Sequence, residues 1–312
     1  MAELDEEGVI VDTRVGALDR TPFVFIRSLV LLAKPGIALS VSLTGIAGMV
    51  LAERGFPRAE LVILGIGALL LSAAGSSILN NILDKRIDIL MKRLKGRVEA
   101  LKLVGEGTAL AFAAGMIAIS LFISVYFFNV LFTALIVTAI LSYILLYTLY
   151  LKRSSPYGTI LGGIPGALPC LVGFSAIEPK LGISAWILFI IMMLWQPPHF
   201  WALAQVYKSD YGKAGIPVLP VAFGTRYANM LMLIYSISLV PLSLSLWLFG
   251  YCSVYYAVAA LLVGLYFEYA MIRSVRRDAE YGKAFGASIF YILAIMITII
   301  IDVSLNPVLI VK

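Results

Sequence analysis

Three oxygen-bearing side chains recur at intervals of four residues in the first third of the chain. Asn80, Asp84 and Asp88 have i, i+4, i+8 spacing, which aligns them along one stripe if the segment is helical. Carboxylate and amide oxygens are hard ligands suited to Mg²⁺, an ion that commonly bridges to substrate phosphates. A solvated helix end with Asp–Lys pairs four residues apart would produce the same pattern. The spacing alone therefore leaves both interpretations open.

Basic side chains suited to phosphate oxygens lie downstream of this motif. Arg93 and Arg97 repeat the four-residue interval, and a guanidinium can bind a phosphate through two parallel hydrogen bonds. Lys152 and Arg153 follow Tyr147 and form a second basic pair. The alternative for this pair is a role in setting membrane orientation only.

The only histidine of the chain lies in a second polar group. His199 is part of the segment Trp195-Gln196-Pro197-Pro198-His199-Phe200, and Asp210 follows eleven residues later. Two consecutive prolines predict a broken helix over residues 195–200. His199 is either part of a polar site on the same membrane side as Asp84 or an interfacial histidine bonded to a backbone carbonyl.

Apolar segments of membrane length must position these residues. The 312 residues are 61% hydrophobic and 13% charged, against about 45–50% and about 25% in soluble chains, which excludes a soluble enzyme or a disordered protein. Two cysteines and one histidine exclude a disulfide framework and a histidine-rich metal site. A spanning helix needs about 20 apolar residues. Nine such stretches are predicted, at residues 28–52, 59–79, 106–127, 130–150, 157–177, 182–206, 228–249, 253–272 and 284–304.

Basic residues predict how these helices are oriented. If the N-terminus is cytoplasmic, 20 of the 24 Lys and Arg side chains lie on the cytoplasmic side, in agreement with the positive-inside rule. The predicted fold is therefore an all-α integral membrane bundle of nine helices. A cytoplasmic tail (1–27) precedes the membrane domain (28–305), which is followed by a short outer tail (306–312). Because the loops after the second and sixth helices correspond, the domain is also consistent with tandem four-helix units plus a ninth helix.

At these residues the sequence resembles the UbiA superfamily of intramembrane prenyltransferases, and within it the heme-farnesylating branch. The superfamily motif NxxxDxxxD is matched by Asn80, Asp84 and Asp88. The resemblance runs from about Lys34 to Asp302. Segments typical of the branch are Tyr147-Thr148, Leu151-Lys152-Arg153, Gly162-Gly163, Gly166-Ala167, residues 195–200, Asp210-Tyr211, residues 214–217, residues 219–221 and residues 288–291.

Four positions depart from the pattern of the branch. Gly36 stands in place of Arg, Arg86 in place of an acidic residue, Leu94 in place of Thr and Val98 in place of Pro. A lost carboxylate and a gained cation at Arg86 leave open weaker metal binding, altered handling of the prenyl donor or a divergent paralogue. The three superfamily positions are intact, so prenyl transfer is the predicted activity.

The resemblance implies a bundle with a central cavity whose polar cap faces the cytoplasm. It implies transfer of a farnesyl group from farnesyl diphosphate to a vinyl group of heme B, with addition of water, to give heme O and diphosphate. The residue roles that it implies are Mg²⁺ binding by Asn80, Asp84, Asp88 and Asp210, diphosphate binding by Arg93, Arg97, Tyr147, Lys152 and Arg153, heme contact by Trp195, Gln196 and His199, and catalysis by Asp84, Asp88, His199 and Asp210.

The resemblance also implies a location and partners. It places the chain in the plasma membrane, with heme A synthase or terminal-oxidase assembly factors as candidate protein partners. The net charge of +6 is explained by topology and anionic lipid rather than by nucleic acid. Two alternatives are a UbiA-type enzyme acting on a quinone precursor or lipid, which would not be expected to carry residues 195–200 in this form, and a transporter. A transporter would be expected to carry polar residues near the bilayer midplane, where this chain has almost none.

Overall fold

The computed structural model describes residues 3–4, 10–11, 21–277 and 280–306 and is predominantly helical. Within these ranges nine helices are long and apolar enough to span a membrane, as the sequence predicted. They are α1 (Pro35–Glu53), α2 (Ala59–Asp88), α3 (Glu106–Phe127), α4 (Val130–Ser154), α5 (Gly158–Ile177), α6 (Ile183–Val206), α7 (Gly224–Leu248), α8 (Val254–Arg276) and α9 (Tyr281–Leu305).

Shorter elements flank and connect these spans. They are the helices Pro22–Leu32, Lys95–Val104, Lys208–Lys213 and Leu219–Ala222, the 3₁₀ turn Lys92–Leu94, and an antiparallel pair of two-residue strands, β1 (Glu3–Leu4) and β2 (Ile10–Val11). Two spans are irregular. The middle of α4 is a π-helix over Ser142–Leu151, and α5 consists of Gly158–Leu161 followed by Ile164–Ile177.

The first predicted stretch, residues 28–52, is two helices rather than one. Thr21 caps the helix Pro22–Leu32, and its Oγ1 accepts a hydrogen bond from the Val24 amide. Lys34 then adopts a left-handed conformation with φ 56° directly before Pro35. A residue that precedes proline is disfavoured in the α region, so the chain turns at Lys34 and the span begins at Pro35.

Two other local predictions need correction. Helix α2 extends to Asp88, so the segment predicted as a loop after residue 79 forms its last turns. Helix α6 is continuous through Pro197 and Pro198, so the predicted break over residues 195–200 is wrong. Membrane helices tolerate proline because neighbouring helices and side chains satisfy the freed carbonyls, and both prolines are buried in the bundle.

The helices enclose a cavity inside the bundle. Consecutive spans are neighbours, while α9 packs against α1 and α6, and α1 crosses α5. The crossing of α1 and α5 is close because glycines face each other: a Cβ atom on Gly173 would lie 2.7 Å from the carbonyl carbon of Gly45. Small residues of this kind let membrane helices approach closely. The resulting cavity is lined by α1, α2, α4, α5, α6 and α9.

Candidate active site

The last turns of α2 form a buried polar stripe, as the four-residue spacing predicted. Asp84 is 0% exposed, Asp88 5% and Asn80 6%. The Asn80 Nδ2 atom donates to Asp84 Oδ2 at 2.8 Å. The interpretation of this motif as a solvated helix end is therefore wrong, because all three side chains are buried.

Asp84 is neutralised by the basic pair at the end of α4. Lys152 Nζ lies 2.5 Å from Asp84 Oδ2 and 4.0 Å from Asp88 Oδ1, and Arg153 Nη2 lies 3.1 Å from Asp84 Oδ1. A buried carboxylate requires such partners because its desolvation is costly. Lys152 and Arg153 are thus part of the polar site, whatever their contribution to orientation.

The π-helical part of α4 brings its polar side chains to the stripe on α2. Thr148 Oγ1 accepts from Asn80 Nδ2 at 3.0 Å and donates to the Tyr143 carbonyl at 2.8 Å. The rings of Tyr143 and Tyr147 in the same segment stack with their centroids 6.1 Å apart. Both tyrosines line the cavity. π-Helices are rare and frequently occur at functional sites. Here the widened turn places Tyr143, Thr148 and Lys152 against α2.

Lys34 is a site residue that sequence reasoning missed. Its Nζ donates to Asn80 Oδ1 at 2.6 Å and to the Tyr143 hydroxyl at 3.3 Å. Burial, together with nearby Arg97 and Lys152, lowers the pKa of Lys34 to about 7. From the sequence, Lys34 is only one of the 20 basic residues predicted to lie on the cytoplasmic side. The available signal was its position directly before Pro35, at the mouth of the first span.

The second motif carboxylate has an unused oxygen. Asp88 Oδ1 is buried and forms no hydrogen bond within the described structure. Asp210, on the helix Lys208–Lys213, is also buried, and accepts a long hydrogen bond of 3.4 Å from the Arg93 amide. No group of three or more acidic, histidine or cysteine side chains converges as a metal cluster among the described residues. The predicted union of Asp210 with Asp84 and Asp88 is therefore not seen.

The donor set nevertheless suits a hard cation. Mg²⁺ is usually bound through one or two carboxylates plus substrate phosphates rather than by an all-protein cage. Asp88 offers a buried oxygen that forms no hydrogen bond, with Asp84 one turn away on the same helix face. A cation at this place would give that oxygen the direct partner that it lacks. The residues present thus fit Mg²⁺, and the assignment stays a prediction.

The two arginines have different environments. Arg93 donates to the Tyr211 hydroxyl at 2.9 Å, and its guanidinium lies over the rings of Tyr207 and Tyr211 at 5.2 and 5.4 Å. Arg97, on the helix Lys95–Val104, lines the cavity, and burial and the nearby Arg93 lower its pKa. The pair does not share one helical stripe, because Arg93 belongs to the 3₁₀ turn. The loops after α2 and α6 do meet, as predicted.

The cavity has a volume of about 610 Å³ and two chemically different ends. Lys34, Arg97, Tyr143 and Tyr147 line one part, whereas the wall formed by α6 and α9 is largely apolar. Ligand sites are typically mostly apolar with a few convergent polar groups. This cavity therefore suits an amphiphile with an anionic head.

Glycines on α5 make room for two predicted site residues. A Cβ atom on Gly166 would lie 3.0 Å from Gln196 Cδ, and one on Gly162 would lie 3.1 Å from Tyr147 Cε2. Gln196 Nε2 donates to the Gly163 carbonyl at 2.8 Å. The glycine segment quoted for the resemblance therefore has a packing reason: it seats Tyr147 and Gln196 at the cavity.

His199 lies on the apolar wall of the cavity, stacked between two rings. The imidazole is 4.5 Å from the ring of Trp195 and 4.6 Å from that of Phe285. Its Nδ1 is 2.7 Å from Ser288 Oγ, and Trp195 Nε1 donates to the Ser288 carbonyl. His199, Trp195 and Gln196 are brought together as predicted. Phe285 and Ser288 on α9 were not singled out as site residues, because their role depends on packing against α6.

Two of the four departures from the pattern of the branch, Arg86 and Gly36, can be placed relative to the carboxylates and the cavity. Arg86 is exposed and makes no ion pair with Asp84 or Asp88 in the described chain. Gly36 lines the cavity, and a Cβ atom there would meet nothing within 4 Å. The structure therefore gives no sign that the cation at Arg86 disturbs the carboxylates.

Comparison with known proteins finds a family model and curated relatives that each match most of the chain. The model of the UbiA prenyltransferase family matches residues 41–296. A protoheme IX farnesyltransferase of Geotalea uraniireducens is 43% identical, over 83% of this chain and 100% of that protein. Another, of Aquifex aeolicus, is 40% identical over 89% of this chain and 95% of that protein.

Solved structures support the same fold. A structure of digeranylgeranylglyceryl phosphate synthase has a TM-score of 0.73 at 18% identity, covering 90% of this chain and 99% of that one. A UbiA homolog from Archaeoglobus fulgidus bound to GPP and Mg²⁺ has a TM-score of 0.61 at 17% identity, covering 88% and 99%. At these identities the likeness concerns the fold alone.

Proposed function

The chain belongs to the UbiA prenyltransferase family, and we propose that it transfers the farnesyl group of farnesyl diphosphate to a vinyl group of heme B. Addition of water then gives heme O, and diphosphate is released. The observation that carries this proposal is identity of 40–43% with protoheme IX farnesyltransferases over nearly their whole length. The cavity agrees with it, because a basic polar end and an apolar aromatic wall suit a diphosphate lipid and a porphyrin. The chain is thus a membrane-embedded transferase.

The polar end would bind the donor diphosphate. Lys34 and Arg97 line the cavity directly, and Lys152 and Arg153 hold Asp84 beside it. Breakage of the farnesyl C–O bond leaves its electron pair on the diphosphate. Preorganised cations aimed at such developing charge are commonly the largest source of catalysis. Tyr147 is proposed to orient the diphosphate. Arg93 is proposed to hold the Asp210 loop in place.

The carboxylate stripe would hold a divalent cation. Asp84 and Asp88 are the proposed Mg²⁺ ligands, with Asn80 as a further predicted ligand. Asp210 is not grouped with them in the described structure. Bound Mg²⁺ would supply Lewis-acid neutralisation of the diphosphate charge. A homolog from Archaeoglobus fulgidus was solved bound to GPP and Mg²⁺, which supports a divalent cation as the cofactor. In this chain, Lys34 Nζ lies 2.6 Å from Asn80 Oδ1 and Lys152 Nζ lies 2.5 Å from Asp84 Oδ2. The two amines are proposed to move toward the diphosphate when it binds.

The apolar wall would receive the acceptor. Trp195, Gln196 and His199 line the cavity on α6, and Phe285 adds an aromatic face from α9. A vinyl π pair would attack the allylic carbon, and the resulting porphyrin-side cation would take up the oxygen of water, which releases a proton. The low-polarity wall would limit direct hydrolysis of the allylic cation. Neither a quinone or lipid acceptor nor a transport function is favoured, because the relatives from Geotalea uraniireducens and Aquifex aeolicus are protoheme IX farnesyltransferases.

The proposal is tested by expressing the chain in membranes that lack heme O synthase. Hemes are then extracted and identified by mass. Heme O is expected in these membranes and none in membranes carrying the empty vector. Membrane-inserted protein that leaves only heme B, or that prenylates a quinone instead, would contradict the proposed acceptor.

Orientation supplies a prediction that follows from the charge distribution. We propose that the chain lies in the plasma membrane with the polar end of the cavity facing the cytoplasm. Lys92→Cys and Lys213→Cys should both react with an impermeant thiol reagent only from the cytoplasmic side, and Lys180→Cys only from the outside. The native Cys170 and Cys252 are buried and give low background. Labelling of Lys92→Cys and Lys213→Cys from opposite sides would contradict both the helix count and the shared site.

Lys34 supplies a prediction about donor affinity. Lys34→Met should raise the KM for farnesyl diphosphate about tenfold or more, because a hydrogen bond to a charged group contributes about 1.5–3 kcal/mol. The KM for heme B should change little. Lys85→Met is the matched control, because Lys85 is exposed and pairs with Glu106 at 2.6 Å, and such surface pairs contribute about 0–1 kcal/mol. Equal donor KM values for the two variants would remove Lys34 from the diphosphate site. Donor KM is measured in membranes at saturating heme B.

A further inference from the structure

The imidazole of His199 is packed among aromatic rings at the cavity. Trp195 and Phe285 stack on it with interplanar angles of 24° and 25°, and Phe200 meets it edge-on with the ring centroids 5.3 Å apart. Its Nδ1 atom contacts Ser288 Oγ at 2.7 Å. Within the described residues no hydrogen bond reaches Nε2, although His199 lines the cavity. Nε2 is therefore the atom of this side chain that a ligand can meet.

The hydrogen bonds of Ser288 determine which ring nitrogen carries the proton. Ser288 Oγ donates to the Phe285 carbonyl at 2.6 Å. A hydroxyl has one proton to donate, so Ser288 Oγ must accept in its contact with His199. Nδ1 is then the protonated nitrogen. In a neutral imidazole the other nitrogen, Nε2, consequently carries a free lone pair.

We propose that Ser288 is a positioning residue that fixes the Nδ1–H tautomer of His199, so that Nε2 serves as an axial ligand to the iron of heme B. This inference rests on the proposed function and names how its acceptor is held. Iron-ligating histidines usually donate their other ring N–H to an acceptor that sets tautomer and ring orientation. A ring clamped between two aromatic side chains meets that requirement. Ligation at the iron would anchor the macrocycle at its centre and leave its vinyl groups free at the rim.

The tautomer can be measured without any substrate. Because His199 is the only histidine of the chain, protein labelled with ¹⁵N-histidine and purified without a histidine tag gives a single pair of ring-nitrogen signals. In the wild type the proton is expected on Nδ1, with Nε2 unprotonated. In Ser288→Ala this preference should be lost, and in Ser288→Thr it should be kept, because threonine retains the hydroxyl. A wild-type ring protonated on Nε2 would overturn the proposal.

Heme binding provides the second measurement. Purified wild-type protein titrated with heme B should give the absorption spectrum of histidine-ligated iron. His199→Ala should lose that spectrum, and Ser288→Ala should weaken heme B binding about tenfold, as is typical when the partner of a metal-ligating histidine is removed. Ser288→Thr should restore it. Binding of metal-free protoporphyrin IX should be equal in all four proteins, because it needs the aromatic wall but no ligand.

The outcomes separate this inference from the proposed function. If the wild type makes heme O while His199→Ala keeps the wild-type heme spectrum, axial ligation by His199 is wrong and the activity stands. Equal loss of heme B and protoporphyrin IX binding in His199→Ala would also contradict ligation, since it would show a packing role. If the wild type makes no heme O yet shows the histidine-ligated spectrum and its loss in His199→Ala, the heme site stands and the proposed reaction is wrong.

Discussion

Asp88→Asn should lower Mg²⁺-dependent farnesyl transfer by about 1,000-fold or more while the protein stays folded in the membrane. Metal-assisted stabilisation of a leaving group is worth several kcal/mol, and about 4 kcal/mol corresponds to a factor of about 1,000 in rate. The carboxylate that this variant removes forms no hydrogen bond at Oδ1. Its loss therefore leaves no basic partner stranded, apart from the distant Lys152 at 4.0 Å. Activity should fall without a matching loss of stability.

Asp84→Ala should be equally inactive but for two reasons. Lys152 and Arg153 both pair with Asp84, and removal of one partner of a buried ion pair commonly costs about 3–5 kcal/mol. This variant is therefore expected to unfold at a lower temperature as well. Asp88→Asn is the sharper test because it separates chemistry from folding.

The measurement is heme O formation in membranes over a range of Mg²⁺ concentrations, together with the thermal unfolding midpoint in detergent. Glu99→Gln is the control, an exposed acid on the neighbouring helix Lys95–Val104, and it should behave as the wild type. Full Mg²⁺-dependent turnover in Asp88→Asn would exclude the α2 stripe from the mechanism.

Features set by local periodicity and hydrophobic length were predictable from the sequence. The nine predicted apolar stretches correspond to nine spans in the described part of the chain, since a helix lets a segment in a bilayer satisfy its own backbone hydrogen bonds. The alignment of Asn80, Asp84 and Asp88 followed from helical geometry alone. That the loops after α2 and α6 lie on the same side followed from counting crossings, because an even number of spans separates them. Their contact, between the Arg93 amide and Asp210, did not follow from that count.

Features set by contacts between distant segments were not predictable. Lys34 reaches Asn80 and Tyr143 across 46 and 109 residues of chain, so its sequence context indicated only a charge at a helix start. Ser288 and Phe285 matter because α9 packs on α6, and nothing near residue 288 indicates that partner. The break predicted at Pro197 and Pro198 was wrong for a related reason. Proline breaks an isolated helix, but here neighbouring helices support the chain.

The π-helix of α4 could not be predicted from local sequence. Apart from Ser142 and Thr148, its residues are apolar or aromatic, and none of them is a sequence signal for an i→i+5 turn. The widened turn brings Thr148 within hydrogen-bond distance of Asn80 and Lys152 within hydrogen-bond distance of Asp84. Propensity does not predict such a turn, because the polar contacts that accompany it lie on another helix.

The crossing of α1 and α5 yields a prediction about stability. Gly173→Ala should destabilise the protein by about 3 kcal/mol, at the upper end of what overpacking costs. The added Cβ atom would lie 2.7 Å from the Gly45 carbonyl carbon and would collide with its oxygen. Backbone atoms cannot rotate away as a side chain can, so the two helices must separate. Gly48→Ala should act similarly, since its Cβ atom would lie 3.0 Å from the Cys170 carbonyl carbon.

The effect should reach the site, because α1 begins directly after Lys34 and α5 carries the glycines that seat Tyr147 and Gln196. Gly67→Ala is the matched control: Gly67 is also in a spanning helix, but a Cβ atom there would meet nothing within 4 Å. Alanine is favoured over glycine in a helix by about 1 kcal/mol, so the control should be as stable as the wild type or slightly more so. Thermal unfolding midpoints in detergent and heme O yields in membranes should both fall for Gly173→Ala and hold for Gly67→Ala. Equal midpoints for the two variants would mean that α1 and α5 do not cross at backbone contact, and the cavity between them would then need a different shape.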